Sequence, residues 1–137
     1  MAEHNDFGVS GERLAKEYLL SKGFVILKTN YRVGNAEVDI IAEHKKQVVF
    51  VEVKTRRQTQ YGNPEIAVNR EKRSNMKRVA RSYIEKHKLK GEVRFDIISI
   101  VFPKQGNPEI THFEDAFFLR WRVLSSLAKR TTLASQV

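Results

Sequence analysis

Residues 36–55 read AEVDIIAEHKKQVVFVEVKT. Two apolar runs, Ala36 to Ala42 and Gln47 to Thr55, flank the polar turn Glu43-His44-Lys45-Lys46. Runs of this kind, rich in β-branched residues, read as strands, and so short a turn makes them antiparallel neighbours. Each strand carries an acid in apolar surroundings: Asp39 lies within Glu37-Val38-Asp39-Ile40-Ile41, and Glu52 within Val49-Phe50-Val51-Glu52-Val53-Lys54. Side chains alternate faces along a strand, so Glu37 and Asp39 share a face, as do Glu52 and Lys54. If both polar sets face the same way, Asp39, Glu52 and Lys54 converge.

Carboxylates in a half-buried sheet must be paired, protonated or bound to a cation. Two of them beside an open side suit Mg²⁺, which takes a few hard oxygens and keeps water; Mn²⁺ is the alternative ion. Such an ion can polarise a phosphodiester and supply a hydroxide nucleophile, while a nearby lysine orients water or stabilises developing charge. The plainer reading is an ion pair in which Lys54 only neutralises Glu52 or Asp39. For one residue alone that reading wins; three together beside a basic segment favour the site.

Outward from this hairpin, Phe24 to Asn30 reads as a preceding strand, joined through Gly34-Asn35. Residues 10 to 22 read as a first helix, capped by Ser10 and closed by Gly23, with Leu14, Ala15, Tyr18 and Leu19 as its apolar stripe. Beyond a polar loop, Pro64 suits the first turn of a long helix to about His87, whose buried stripe is Val68, Met76, Val79, Ala80, Tyr83 and Ile84. Val93 to Phe102 is a fourth strand, Glu109 to Phe113 a short edge strand, and Asp115 to about Lys129 a final helix. A helix between the third and fourth strands permits a parallel crossover, so the expected fold is α/β with a mixed sheet of about five strands. The 137 residues suit one domain, with its core at about 7–118 and a frayed tail at 130–137.

The formal net charge is +9, and all of the excess is local. Residues 54–94 hold thirteen Lys or Arg against four Glu, while the rest of the chain holds twelve of each sign. A concentrated basic field attracts polyanions, although a solvated helix face serving solubility would look similar. Arg56, Arg57, Arg70, Arg73, Lys77, Arg78 and Arg81 are candidate phosphate contacts, which position a nucleic acid without reading sequence. Lys72, four residues before Met76, either reaches into the cleft toward a phosphate or snorkels out along its stem. The chain has no cysteine, its start MAEHNDFG is no signal peptide, and no apolar run approaches a membrane span. The expected compartment is the cytoplasm.

Asp39 followed by Glu52-Val53-Lys54 resembles the PD-(D/E)XK nuclease signature. The wider order is more specific: Gly11-Glu12-Arg13-Leu14-Ala15 with Tyr18-Leu19, then Glu37-Val38-Asp39-Ile40-Ile41-Ala42, then Val49-Phe50-Val51-Glu52-Val53-Lys54-Thr55-Arg56, then Arg94-Phe95-Asp96. That order resembles the bacterial YraN-like family, distantly related to archaeal Holliday-junction resolvases, over roughly residues 7 to 118. The resemblance implies a restriction-endonuclease-like fold. It implies Asp39 and Glu52 as metal ligands, Lys54 as the catalytic lysine, and Glu12 as an additional acid near the metal. Read from its place alone, Glu12 is a first-turn glutamate complementing the helix dipole. Val38 stands where the signature has proline, and Glu37 is an extra acid, read as a hydrogen-bonding neighbour rather than a ligand.

Asp96 pairs most simply with Arg94 or a nearby lysine, and the four histidines show no ligand spacing. Trp121 and Phe117-Phe118 either dock the last helix or build a dimer interface, and a homodimer would suit the two-fold symmetry of a junction. The first reading is therefore a Mg²⁺-dependent endonuclease acting on branched or damaged DNA. The alternatives are a non-catalytic nucleic-acid-binding or adaptor module on the same fold, and an RNA-processing role, since charge does not separate DNA from RNA.

Overall fold

The computed structural model describes residues 2–58 and 69–117. In chain order these form α1 (Ala2–Ser21), β1 (Val25–Val33), β2 (Ala36–His44), β3 (Gln47–Arg57), α2 (Arg70–His87), β4 (Val93–Phe102) and β5 (Glu109–Phe117). The strands build one sheet in the order β1-β2-β3-β4-β5. The β1/β2, β2/β3 and β4/β5 pairs are antiparallel, whereas β3 and β4, joined through α2, run parallel. This is the mixed α/β arrangement of a restriction-endonuclease-like domain, and all five expected strands are present.

Alternating apolar residues give each face of the sheet its own core. On one face Ala15 and Leu19 of α1 meet Ile40, Ala42, Val49, Val51, Ile98 and Ile100. On the other, Met76, Val79, Ala80, Tyr83 and Ile84 of α2 meet Val38, Ile41, Phe50 and Phe95. Strands β3 and β4 are apolar on both sides because both faces are covered. Aromatic rings close the α2 side: Phe95 stacks on Phe117 at 4.8 Å, and Tyr83 meets Tyr31 and Phe50 edge-on. Among the described residues no helix is long and apolar enough to cross a membrane.

Several boundaries depart from the sequence reading, and β1 and β5 run on to Val33 and Phe117. Helix α1 begins at Ala2 rather than at a Ser10 cap, and it continues through Gly11. Gly11 is there for proximity: a Cβ at this position would fall on Thr55 Oγ1 of β3. Helix α2 begins at Arg70 rather than Pro64. Asn69 is extended (φ −66°, ψ 167°), and its side chain accepts the backbone N–H of Lys72, which is the geometry of an N-cap. Val68, placed on the buried stripe, lies outside the described residues. Asp115, expected to open a final helix, lies in β5 with Ala116 and Phe117; the remainder of the expected helix, with Phe118 and Trp121, falls outside the described residues.

Candidate active site at a fork between two strands

Strands β2 and β3 pair from His44↔Gln47 up to Ile40↔Val51, and the ladder stops there. The next residues on the two strands are Asp39 and Glu52. In place of a backbone partner, Asp39 Oδ2 accepts the N–H of Val53 at 2.8 Å. The carboxylate thus occupies the gap where the strands part, and it satisfies a donor that the end of the ladder would orphan. Side-chain alternation also breaks at this point. Val38 packs in the α2-side core and Ile40 in the α1-side core. Glu37 is therefore not the neighbour of Asp39 that strict alternation implies; it pairs with Arg32 across β1 at 3.0 Å.

Phe50 packs toward α2, and Glu52, Lys54 and Arg56 continue its row along β3, all three partly buried. The Glu52 side chain is only 15% exposed. Burial, and then the adjacent Asp39 carboxylate, push its pKa up to about 8; Lys72 pulls in the opposite direction. Glu52 Oε1 is buried and makes no hydrogen bond among the described residues. Lys72 Nζ stands 3.3 Å from it as an ion-pair partner. Two adjoining carboxyl groups, one with a buried and unsatisfied oxygen, form a hard-oxygen donor set that fits a divalent cation.

Of the predicted site residues, Asp39 and Glu52 come together, and Lys54 follows on the same row. Glu12 does not join them. Its Oε1 accepts a hydrogen bond from Asn30 Nδ2 at 2.9 Å, and it is not among the charges acting on Glu52. The β1/β2 register, with Thr29↔Ile40 and Tyr31↔Val38, sets Asn30 opposite Asp39, and Asn30 adopts a positive φ of 50°.

The basic residues divide into distinct groups. Arg70, Arg73, Lys77 and Arg81, with Ser74, line an open groove of about 400 Å³ along α2. Arg78 points elsewhere on the helix and donates to Asn75 Oδ1 at 3.0 Å. Arg57 is exposed at the end of β3. Lys72 neither lines the groove nor snorkels to solvent; it reaches inward to Glu52. Its place next to the buried stripe was legible in the sequence, but its partner was not.

A second polar centre, of which the sequence reading gave only the Arg94–Asp96 pair, lies on the α1 side of the sheet. Asp96 is fully buried. Arg94 donates to it twice, at 2.8 and 2.7 Å; His112 Nε2 lies 2.7 Å away, and the Asp115 N–H donates at 3.0 Å. Burial alone would raise Asp96, but the hydrogen bonds from His112, Arg94 and Asp115 outweigh it and hold the carboxyl below its usual range. His112 Nδ1 in turn meets Tyr18 Oη of α1 at 3.2 Å. Asp96, His112 and Glu114 are close enough to one another to ligate an ion. Arg94, which bridges Asp96 and Glu114, already supplies the cation there. This centre ties α1 to β4 and β5.

The model of the uncharacterised protein family UPF0102 matches residues 11–100. A UPF0102 protein of Christiangramia forsetii is 46% identical over 118 residues, covering 86% of this chain and 98% of the relative. One from Phocaeicola vulgatus is 42% identical over 118 residues, covering 86% and 97%. One from Thermodesulfovibrio yellowstonii is 42% identical over 113 residues, covering 82% and 96%. The family match spans the fork, Lys54 and Lys72 together.

Proposed function

The chain belongs to the uncharacterised protein family UPF0102, and we propose that it is a cytoplasmic, divalent-metal-dependent endonuclease that hydrolyses phosphodiester bonds in structured DNA, branched or damaged. The observation that carries this reading is the buried Glu52 Oε1, without a hydrogen bond, beside the Asp39 carboxylate. Two carboxyl groups held against one another in a half-buried place cost a fold stability, a cost that a bound cation removes.

Asp39 and Glu52 would hold Mg²⁺ or Mn²⁺. When bound, the ion supplies Lewis acidity toward a phosphodiester. The chain's own residues do the rest. Asp39 keeps the fork open through its bond to Val53 N–H. Lys54, on the Glu52 row, is placed to stabilise negative charge developing on phosphate oxygens. The groove of Arg70, Arg73, Lys77 and Arg81 neutralises backbone phosphates, which gives affinity without sequence readout.

The groove alone would equally serve a non-catalytic binding module. The fork argues against that alternative, because paired carboxylates facing a phosphate backbone weaken binding unless a cation stands between them. The test is calorimetric titration of Mg²⁺ and Mn²⁺ into wild type and Asp39→Ala, with branched DNA then added to both. The expected result is metal binding and cleavage by wild type alone. If neither protein binds metal while both bind DNA with a steep salt dependence, the catalytic reading is wrong.

A further inference from the structure

Lys72 stands apart from the cations that line the groove. At 3.6 residues per turn, Arg70, Ser74, Lys77 and Arg81 recur about once per turn with Arg73 at the edge of that row, and Lys72 falls roughly half a turn away from the row. It lies beside Met76 and Val79 on the buried side of α2, with its side chain only 32% exposed. Its backbone is fixed as well: the N–H of Lys72 is the donor that Asn69 Oδ1 captures at 2.8 Å to cap the helix. The cap therefore fixes the root of this side chain, and the ammonium ends 3.3 Å from Glu52 Oε1.

That oxygen is the one without a hydrogen bond. Lys72 thus stands at the buried oxygen of Glu52 as its cationic partner. An ammonium and a divalent cation cannot both stand against one carboxylate oxygen without strong mutual repulsion. Lysine has a flexible four-carbon stem and can vacate the position without disturbing the helix.

We infer that Lys72 is a built-in placeholder: it occupies the cation position at Glu52 Oε1 in the metal-free protein and must withdraw for a divalent ion to bind, so that it sets the metal affinity of the site. This inference rests on the proposed metal-binding role of Asp39 and Glu52. Once displaced, the ammonium lies at the rim of the same site, where the anion available to it is the phosphate of the bound nucleic acid. Lys72 is therefore a positioning and gating residue distinct from Lys54, and it couples metal entry to substrate contact.

The experiment uses the full chain and two readouts. The first is Ca²⁺ and Mg²⁺ affinity by calorimetry for wild type, Lys72→Met and Lys72→Arg. Lys72→Met keeps the unbranched apolar stem and removes the charge, and is expected to bind the ions about tenfold tighter, or roughly 1.4 kcal/mol. Lys72→Arg keeps a cation in place and is expected to show no tightening. The second readout is fluorescence anisotropy of a labelled branched oligonucleotide. Lys72→Met is expected to weaken binding several-fold in Ca²⁺ and to leave it unchanged in EDTA.

If wild type binds metal in an Asp39-dependent way but Lys72→Met binds it equally or more weakly, the placeholder is overturned while the metal site stands. A loss of DNA affinity in EDTA as large as that in Ca²⁺ would also overturn it, because Lys72 would then be an ordinary phosphate contact. If wild type binds no metal at all, the metal-site reading fails and takes this inference with it.

Discussion

Replacing Glu52 by Gln should stabilise the metal-free protein, and by an amount that grows with pH. In the folded chain Glu52 titrates at about 8 against an ordinary value of 4.5, because it is buried and lies beside Asp39. A carboxyl shifted upward holds its proton more tightly folded than unfolded. Its contribution to stability is fully present below 4.5 and is lost as pH rises through 8. Within that window the unfolded chain has released the proton and the folded chain has not. Each pH unit therefore costs about 1.4 kcal/mol of stability. Gln has the same shape and can offer an amide N–H toward Asp39 where the protonated acid offers O–H, but it has no proton to lose.

Between pH 5 and 8 the advantage of Glu52→Gln over wild type should rise by up to about 4 kcal/mol, and by about 2 kcal/mol if water screens the buried charge. Either figure is a large part of the roughly 5–15 kcal/mol that holds a domain folded. The assay is urea denaturation followed by far-ultraviolet circular dichroism in EDTA, at pH 5 and pH 8, on both proteins. Taking the difference between them cancels all other titrating groups. An advantage that is the same at both pH values, or a Gln variant that is less stable at pH 8, would refute the account of a carboxyl held against its own charge.

Other consequences follow from particular neighbours. Gly11→Ala places a methyl on Thr55 Oγ1 and should cost about 1–3 kcal/mol in chemical denaturation. Adding Thr55→Ala should recover part of that cost in a double-mutant cycle, because the obstructing atoms belong to the Thr55 side chain. Asp96→Asn leaves Arg94 without its buried anion and should cost about 3 kcal/mol at neutral pH. Since the Asp96 pKa is lowered, its contribution is present above the ordinary carboxylate range and lost as pH falls through the folded value, so denaturation curves of Asp96→Asn and wild type should converge in acid. Replacing Arg73 and Arg81 together by Ala should flatten the slope of log affinity for DNA against log salt by about two, roughly one for each phosphate no longer neutralised; an unchanged slope would remove the groove from the interface.

The strands were legible because their signal is local: β-branched runs, short turns and acids set among apolar neighbours. The convergence of Asp39 and Glu52 was legible for the same reason, since one tight turn sets the register of both strands. What escaped depended on neighbours distant in sequence. Ser10 and Gly11 look like a helix start until Thr55 of β3 supplies a reason for glycine inside the helix. Pro64 looks like the first turn of α2, yet Asn69 takes the cap, a competition between two acceptable start signals that local reading cannot rank. His112 carried no ligand spacing because its partners, Asp96 and Tyr18, come from a neighbouring strand and from α1. Glu12 was placed by motif order alone, and its hydrogen bond to Asn30, a residue of β1, was not legible there.

A fork between strands is an expensive place to build a site, and its position in this sheet explains why the fold tolerates it. Beyond Val51, β3 loses its partner on the β2 side. On its other side it remains paired to β4 without interruption, from Val48↔Val93 to Arg57↔Phe102. An isolated hairpin opened at this point would fray, because nothing else would hold the outer half of β3. Here the parallel neighbour carries Glu52, Lys54 and Arg56 past the opening on a rigid strand. The Val53 N–H, which the opening would orphan, is given to Asp39. The same carboxylate that charges the site thus repairs the backbone it interrupts. Removing Asp39 would therefore do two separable things, abolishing the proposed metal site and leaving Val53 unsatisfied. Asp39→Asn retains an acceptor for Val53 while removing the charge, so it should keep most of the stability that Asp39→Ala loses in urea denaturation, while binding metal no better by calorimetry.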